Sequence, residues 1–172
     1  AIGKGQGAAI DLDSQAVLGS TAGTLQTLYN LWDAQPNNPL LANEAAQQIF
    51  YVLDRALASY YPGVTDIVLV GGDPIIPFYR VPDETQYANE QRYGASLGAG
   101  GALRAGSALA GSLFFRFVQT DGFYADRAPT PWRGRALFLP DLGIGRLVER
   151  PSEIVRYRVA QHGVAVGGRC FC

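Results

Sequence analysis

With 172 residues, 48% of them hydrophobic and 17% charged, the chain is long enough for one domain with a buried core and too apolar for a disordered segment. Its net charge of -1 offers no electrostatic footprint for nucleic acid or for an anionic membrane surface. No apolar run approaches the roughly 18 residues that span a bilayer, so no membrane span is expected.

The 21 glycines and 10 prolines predict many turns. Methionine is absent, position 1 included, and no basic-then-apolar leader opens the chain. The expectation is a processed product, an expressed piece or a cut reading frame. Cys170 and Cys172 stand one residue apart, poorly placed for a mutual disulfide, and two thiols do not make a zinc site. The redox compartment is not readable from them.

In chain order, Gly3 to Gly7 is a flexible lead-in and Ala8 to Leu12 a short strand. Ser20 or Thr21 caps a helix that runs through Asp33, with Leu25, Leu28, Leu31 and Trp32 near helical spacing. Asn38 and Pro39 are the N-cap and first-turn residue of a second helix. Its expected apolar face is Leu41, Ala45, Ile49, Val52, Ala56 and Tyr60, and Pro62-Gly63 closes it.

Ile67 to Val70 then form a β-branched run without polar alternation, which predicts a strand buried on both faces. Gly71-Gly72-Asp73 ends it. In an open parallel sheet, this carboxyl end of a central strand is where ligands and catalytic groups collect. Pro74, Pro77 and Pro82 exclude regular structure over 74–83 apart from a short turn. Ala88 to Gly111 reads as a loop, with one possible helical turn near Leu103. Leu113 to Val118 reads as a strand or a helical turn, and Thr120 to Trp132 as an acidic, aromatic loop. Ala136 to Leu139 and Ile144 to Val148 read as strands around the turn at 140–143. Pro151-Ser152-Glu153 opens a last helix toward His162-Gly163. A long helix feeding a buried strand predicts an α/β class.

The chemistry has few candidates. Gly71-Gly72-Asp73 could offer backbone N–H groups to an anion, but it is neither G-x-G-x-x-G nor a P-loop, and a tight turn that redirects the chain is the favoured reading. Asp73, Asp83, Glu84, Asp121, Asp126 and Asp141 lie in loops that can share one edge of the sheet. Converging carboxylates suit a hard cation such as calcium, with Asp73, Asp121, Asp126 and Asp141 as candidate ligands. The competing reading is turn capping and solvation, since the spacing matches no calcium loop. His162 is the single histidine, so a thiol catalyst would need it with Cys170 or Cys172. Its place at a predicted helix end suits a C-cap instead, and no catalytic role is assigned to these three residues. Tyr87, Tyr93, Phe114, Phe115, Phe117, Phe123, Tyr124 and Trp132 are core packing or a rim for peptide or sugar.

Three ordered blocks then stand out: IVLVGGDPIIPFYRVPDET (67–85), TDGFYAD (120–126) and PDLGIGRLVERPSEI (140–154). Together they resemble the gingipain-like cysteine peptidases, relatives of the caspase–hemoglobinase clan. Val70 to Asp73 with Ile76-Pro77 match a V-G-D turn followed by I-P, with one extra glycine. Asp121, Phe123 and Tyr124 match a D-x-Y-Y segment, with Phe for the first Tyr. Pro140, Asp141, Ile144, Gly145 and Arg146 match P-D-x-x-[IV]-G-R. The resemblance covers about 30–155, leaving 156–172 as an atypical tail of a single 1–172 domain.

What the resemblance implies is a Rossmann-like, caspase-like three-layer fold, with a mainly parallel sheet flanked by helices. The matched blocks belong to the first of two side-by-side subdomains, which carries no catalytic dyad. The family's histidine and cysteine come later, as an H-G segment after one strand and a Cys after the next. The resemblance thus implies the N-terminal scaffold of a bacterial, secreted or cell-surface cysteine endopeptidase, inactive alone. Its partners would be the catalytic subdomain of the same polypeptide and, in the parent, a peptide substrate. No cofactor is required, with calcium possible. The alternatives are a Rossmann-like module for an anion or calcium and a structural segment of a bacterial surface protein.

Overall fold

The computed structural model describes residues 8–12, 14, 18–148 and 152. His162, Cys170 and Cys172 lie outside these, as do the expected lead-in at Gly3 to Gly7 and all of the expected last helix except Ser152. Among the described residues, no helix is long and apolar enough to cross a membrane.

Residues 8–12 form no strand; Ile10 and Leu12 instead lie partly buried against the core. A single 3-10 turn at Gly19–Thr21 leads into α1, Ala22–Ala34. Thr21 holds the N-cap position, but its hydroxyl donates back to the Leu18 carbonyl rather than capping. Leu25 and Trp32 turn inward, while Leu31 stays exposed.

The second helix, α2, runs Pro39–Tyr60 and starts as its sequence dictates. Pro39 fits the first turn, and Asn38 Oδ1 accepts from the Leu40 amide at 3.1 Å. Its buried face is rotated from the expected one. Ala42, Ala46, Ile49, Leu53 and Leu57 form the buried stripe with Ala45 and Val52, while Tyr60 points to solvent. The small residues Ala42, Ala45 and Ala46 are fully buried near the start of α2.

After the turn at Pro62-Gly63 comes β1, Asp66–Val70. It pairs in parallel with β6, Gly143–Leu147, in the register Asp66↔Gly143 to Val70↔Leu147. The expected burial on both faces is not what the strand shows. Ile67 and Leu69 enter the core, but Val68 and Val70 are 60% and 58% exposed. The core that receives Ile67 and Leu69 is built from α2, and no described element covers the opposite face.

A second correction concerns the proline-rich stretch. Tyr79–Pro82 is a strand, β2, antiparallel to β3, Phe117–Thr120. Pro77 precedes this strand and Pro82 ends it, so neither interrupts the ladder. The expected loop over 88–111 is largely helical. It holds α3, Glu90–Ala99, and most of the start of α4, Ala108–Phe114. Their apolar periodicity is weak, but Asn89 accepts from the Arg92 amide and Ser107 from the Ala110 amide as N-caps.

The expected acidic loop contains the short α5, Gly122–Ala125, and β4, Thr130–Trp132. The latter forms a hairpin with β5, Arg135–Leu137, through Arg133-Gly134. Both turn residues have positive φ, as a two-residue turn between twisted strands requires. The fold is therefore mixed α/β: helices, one parallel strand pair and two antiparallel pairs.

Candidate functional site

The carboxyl end of β1 leads into a loop, residues 71–78, held from three sides. It opens at Gly71, whose φ of 138 is open to glycine and strained for other residues. A Cβ there would also come within 2.9 Å of Ile75 Cγ2. The Gly71 amide donates to Leu147 O, so it extends the β1–β6 ladder and is not presented to an anion. The amides of Ile75 and Ile76 both close on Gly72 O.

Two buried arginines grip this loop. Arg80, on β2, is 1% exposed. Its Nη2 lies 2.6 Å from Asp73 Oδ2, its Nη1 donates to Phe78 O, and its Nε donates to Ser112 Oγ at 3.3 Å. Its guanidinium carbon stands 5.3 Å from the centre of the Trp32 ring, which adds a desolvated cation–π contact. Arg146, on β6, donates from Nη1 to both Gly71 O and Ile76 O, at 2.8 and 2.7 Å. Its Nε and Nη2 meet Asp121 Oδ2 and Oδ1, at 2.9 and 2.5 Å. Its guanidinium carbon is 4.1 Å from the centre of the Phe78 ring.

Two tyrosines complete the grip. Tyr124 donates to Pro77 O at 2.6 Å, and Tyr29 donates to Ile75 O. Every carbonyl from Ile75 to Phe78 thus accepts a hydrogen bond from a side chain. Burial is the leading cause that pushes the Tyr124 phenol well above the ordinary tyrosine range, so it stays a neutral donor. Behind the loop, Asn43 of α2 pairs with both backbone groups of Arg80. Its Oδ1 accepts from the amide at 2.7 Å and its Nδ2 donates to the carbonyl at 2.9 Å. One buried side-chain amide thereby closes the edge of β2 that β3 leaves open.

The four candidate carboxylates are dispersed among partners. Asp73 accepts from Arg80 and from the Phe78 amide. Among the described residues, the Asp121 carboxylate faces Arg146 alone. Asp126, 2% exposed, accepts from the Ala128 and Leu139 amides and so ties the hairpin base together. Asp141 accepts from the Arg127 amide. Among the described residues, no group of three or more His, Cys, Asp and Glu side chains is placed to hold a metal ion. Asp83 takes the Thr85 hydroxyl and the Thr85 and Glu90 amides; the Thr85 hydroxyl leads in holding its carboxyl below the usual range. Glu84 pairs with Arg135 at the surface.

The three sequence blocks meet here. Arg146 joins the third block to the first through Gly71 and Ile76, and to the second through Asp121. Tyr124 joins the second to the first through Pro77, and the Asp141 amide joins the third to the second through Ala125 O. No family model, curated protein or solved structure matches the chain.

Chemically, the arrangement positions a loop. Its cations face carboxylates or carbonyls, and the described residues contain neither histidine nor cysteine to act as base or thiolate. Ser112, fully buried, donates to Ala108 O and accepts from Arg80 and Gln119, so its hydroxyl is structural. Of the aromatic set, Phe123 and Tyr124 are core. Phe123 stacks on Tyr79 with ring centres 4.0 Å apart. Tyr87, Tyr93, Phe114, Phe115 and Trp132 are exposed. The sequence reading missed Arg80 and Asn43. A lone arginine among Phe78, Tyr79 and Val81, and an asparagine on the inner face of α2, were the signals available.

Proposed function

We propose that this chain is the N-terminal, non-catalytic scaffold of a gingipain-like cysteine endopeptidase with a caspase-like, three-layer fold. The observation that carries the reading is the meeting of the three family-like blocks. Residues that match the family pattern at 71–77, 121–124 and 140–146 bond to one another rather than scattering over the surface. The parallel β1–β6 pair with α2 on one face supports the fold half of the proposal.

In the parent reaction, a thiolate attacks the scissile carbonyl and a histidine moves the proton to the leaving amine. Both groups would belong to a second subdomain of the same polypeptide, acting on a peptide in a secreted or cell-surface setting. The role of this chain would be mechanical. It fixes the loop at the carboxyl end of β1 as a rigid wall beside that cleft.

The test has two arms. The purified chain is incubated with a panel of blocked and unblocked peptides, and no turnover is expected. Turnover lost on Cys170→Ala or Cys172→Ala would overturn the scaffold role. The coding sequence past Cys172 is expected to give a strand, His-Gly, a second strand and a Cys. A continuation lacking those elements overturns the peptidase assignment.

A further inference from the structure

The helices α3 and α4 pack on one another and share a groove of about 690 Å³. Two glycines on its wall set how close its elements come. A Cβ on Gly94 would come within 2.8 Å of Leu113 Cβ, and one on Gly111 within 2.1 Å of Asn37 O. So α3 touches α4 at Gly94, and α4 presses on the α1–α2 turn at Gly111. Leu113 is buried, while Phe114 and Phe115, which also line the groove, stay 64% and 52% exposed.

The lining carries no charge. Arg92, Arg104 and Arg116 flank Gln91, Leu103 and Phe115 in sequence, but none of the three lines the groove. Asn37 and Gln91 are its polar side chains. Gln91 Nε2 donates to Phe114 O at 3.2 Å, which leaves its Oε1 open to a donor. The Asn37 side chain has no partner among the described residues. Phe114 and Phe115 meet edge to face, with ring centres 5.0 Å apart, so exposed ring surface remains for a third ring.

We propose that this groove binds a small, uncharged aromatic molecule that carries one hydrogen-bond donor. Its volume lies within the roughly 300–1,000 Å³ of small-ligand sites. Eleven residues line it, whereas a protein partner ordinarily covers about 20–30. A charged ligand would leave water here without a counter-charge, which is costly, while a single donor can meet the Asn37 or Gln91 amide oxygen. The site stands apart from the peptidase reading, since none of its residues belongs to the three blocks.

The test uses the full chain and N-phenylnaphthylamine, an uncharged probe of two aromatic groups joined by one N–H. Saturable uptake of one probe per chain is expected, read by fluorescence. Its sulfonated analogue, anilinonaphthalene sulfonate, should bind at least about 10-fold more weakly. Ala95→Trp fills the groove from an exposed position on α3 and should weaken uptake at least about 10-fold. Tyr60→Ala, on the exposed side of α2, should leave it unchanged. No saturable uptake, or undiminished uptake by Ala95→Trp with the parent's circular dichroism, overturns the site. Equal or tighter binding of the sulfonate overturns the uncharged class. Uptake that weakens as protein concentration rises would assign the groove to a second copy and overturn the proposal. Amide resonances of the isotope-labelled parent give a second reading without any substitution. Gly94, Gly106 and Gly111 should shift on titration with the probe, while Gly71 and Gly145 should not. Shifts confined to other glycines overturn the site.

Discussion

Arg146 and Asp121 face each other through two parallel hydrogen bonds, Nε to Oδ2 at 2.9 Å and Nη2 to Oδ1 at 2.5 Å. The pair is side-on and bidentate, the geometry in which arginine cannot be replaced by lysine without loss. The side chains are 5% and 18% exposed, so solvent does little to substitute for a missing partner. Asp121→Ala should therefore destabilise the fold by about 3–5 kcal/mol, because it leaves a buried cation unpaired. Arg146→Lys should cost less but still lower the denaturation midpoint. Urea unfolding followed by fluorescence checks both, and a midpoint unchanged in Asp121→Ala would sink the argument.

Tyr124 supplies a pH signature. Its phenol is pushed upward by burial, above the unfolded value of about 10. Because the folded value is the raised one, its contribution is intact below pH 10 and fades as pH climbs toward the folded value. Thermal stability should thus fall on the alkaline side, and Tyr124→Phe should flatten that fall. The same substitution leaves Pro77 O without its donor and should cost about 1–3 kcal/mol at neutral pH. A pH series of melting curves on both proteins separates the two effects.

Asp83 predicts the opposite arm. Its carboxyl is held low, first by the Thr85 hydroxyl, and its folded value therefore lies below its unfolded one. The contribution is present above the unfolded value and is lost as pH falls through the folded value. Thr85→Val should lower stability at neutral pH and flatten the fall on the acid side, the two proteins converging as Asp83 becomes protonated in both states. Melting curves below pH 5 on both proteins make the comparison.

Asn43→Leu keeps the branched outline but removes both bonds to the Arg80 backbone. Each stranded group should cost about 1–3 kcal/mol, and the loss should exceed that of an ordinary polar-to-apolar change. Exchange of the Arg80 amide, followed by mass spectrometry of peptides across β2, should speed up in the variant. An unaltered rate would mean that the amide has another partner.

Calcium gives a discriminating experiment for the four aspartates. With Asp73, Asp121 and Asp126 engaged by arginine and backbone amides, added calcium should leave the melting temperature unchanged. A rise that tracks calcium concentration would restore the binding-module reading, through mass action on the folded state.

Much of this was legible in the sequence, and the failures have physical causes. The helix from Pro39 was readable because Asn38 and Pro39 punctuate it, whatever its neighbours do. Its inward face was not, because alanine carries no strong hydrophobic signal to mark Ala42, Ala45 and Ala46 as buried. The strands β1 and β6 were readable from their branched residues. The exposure of Val68 was not, since a run such as Ile67 to Val70 looks the same whether one face or two are covered. The helices α3 and α4 are poor in apolar periodicity and were hidden among glycines and alanines. At the loop, the blocks pointed to Asp121 and Arg146, but nothing local announced that Arg80 would turn inward onto Asp73 and Trp32.

Arg146 reaches Gly71 across 75 positions of sequence. A chain made from its amino end therefore emerges with α1, α2 and β1 in place, while the strand and the cation that secure the loop are still unmade. Local helices can form in that interval, but the long-range strand pairing must wait. Until then the carbonyls of Gly71 and Ile76 lack their donor and β1 shows a bare edge. The last part of the site to leave the ribosome is the part that locks it, so a nascent chain that stalls before Arg146 is left with a sticky, unsealed strand.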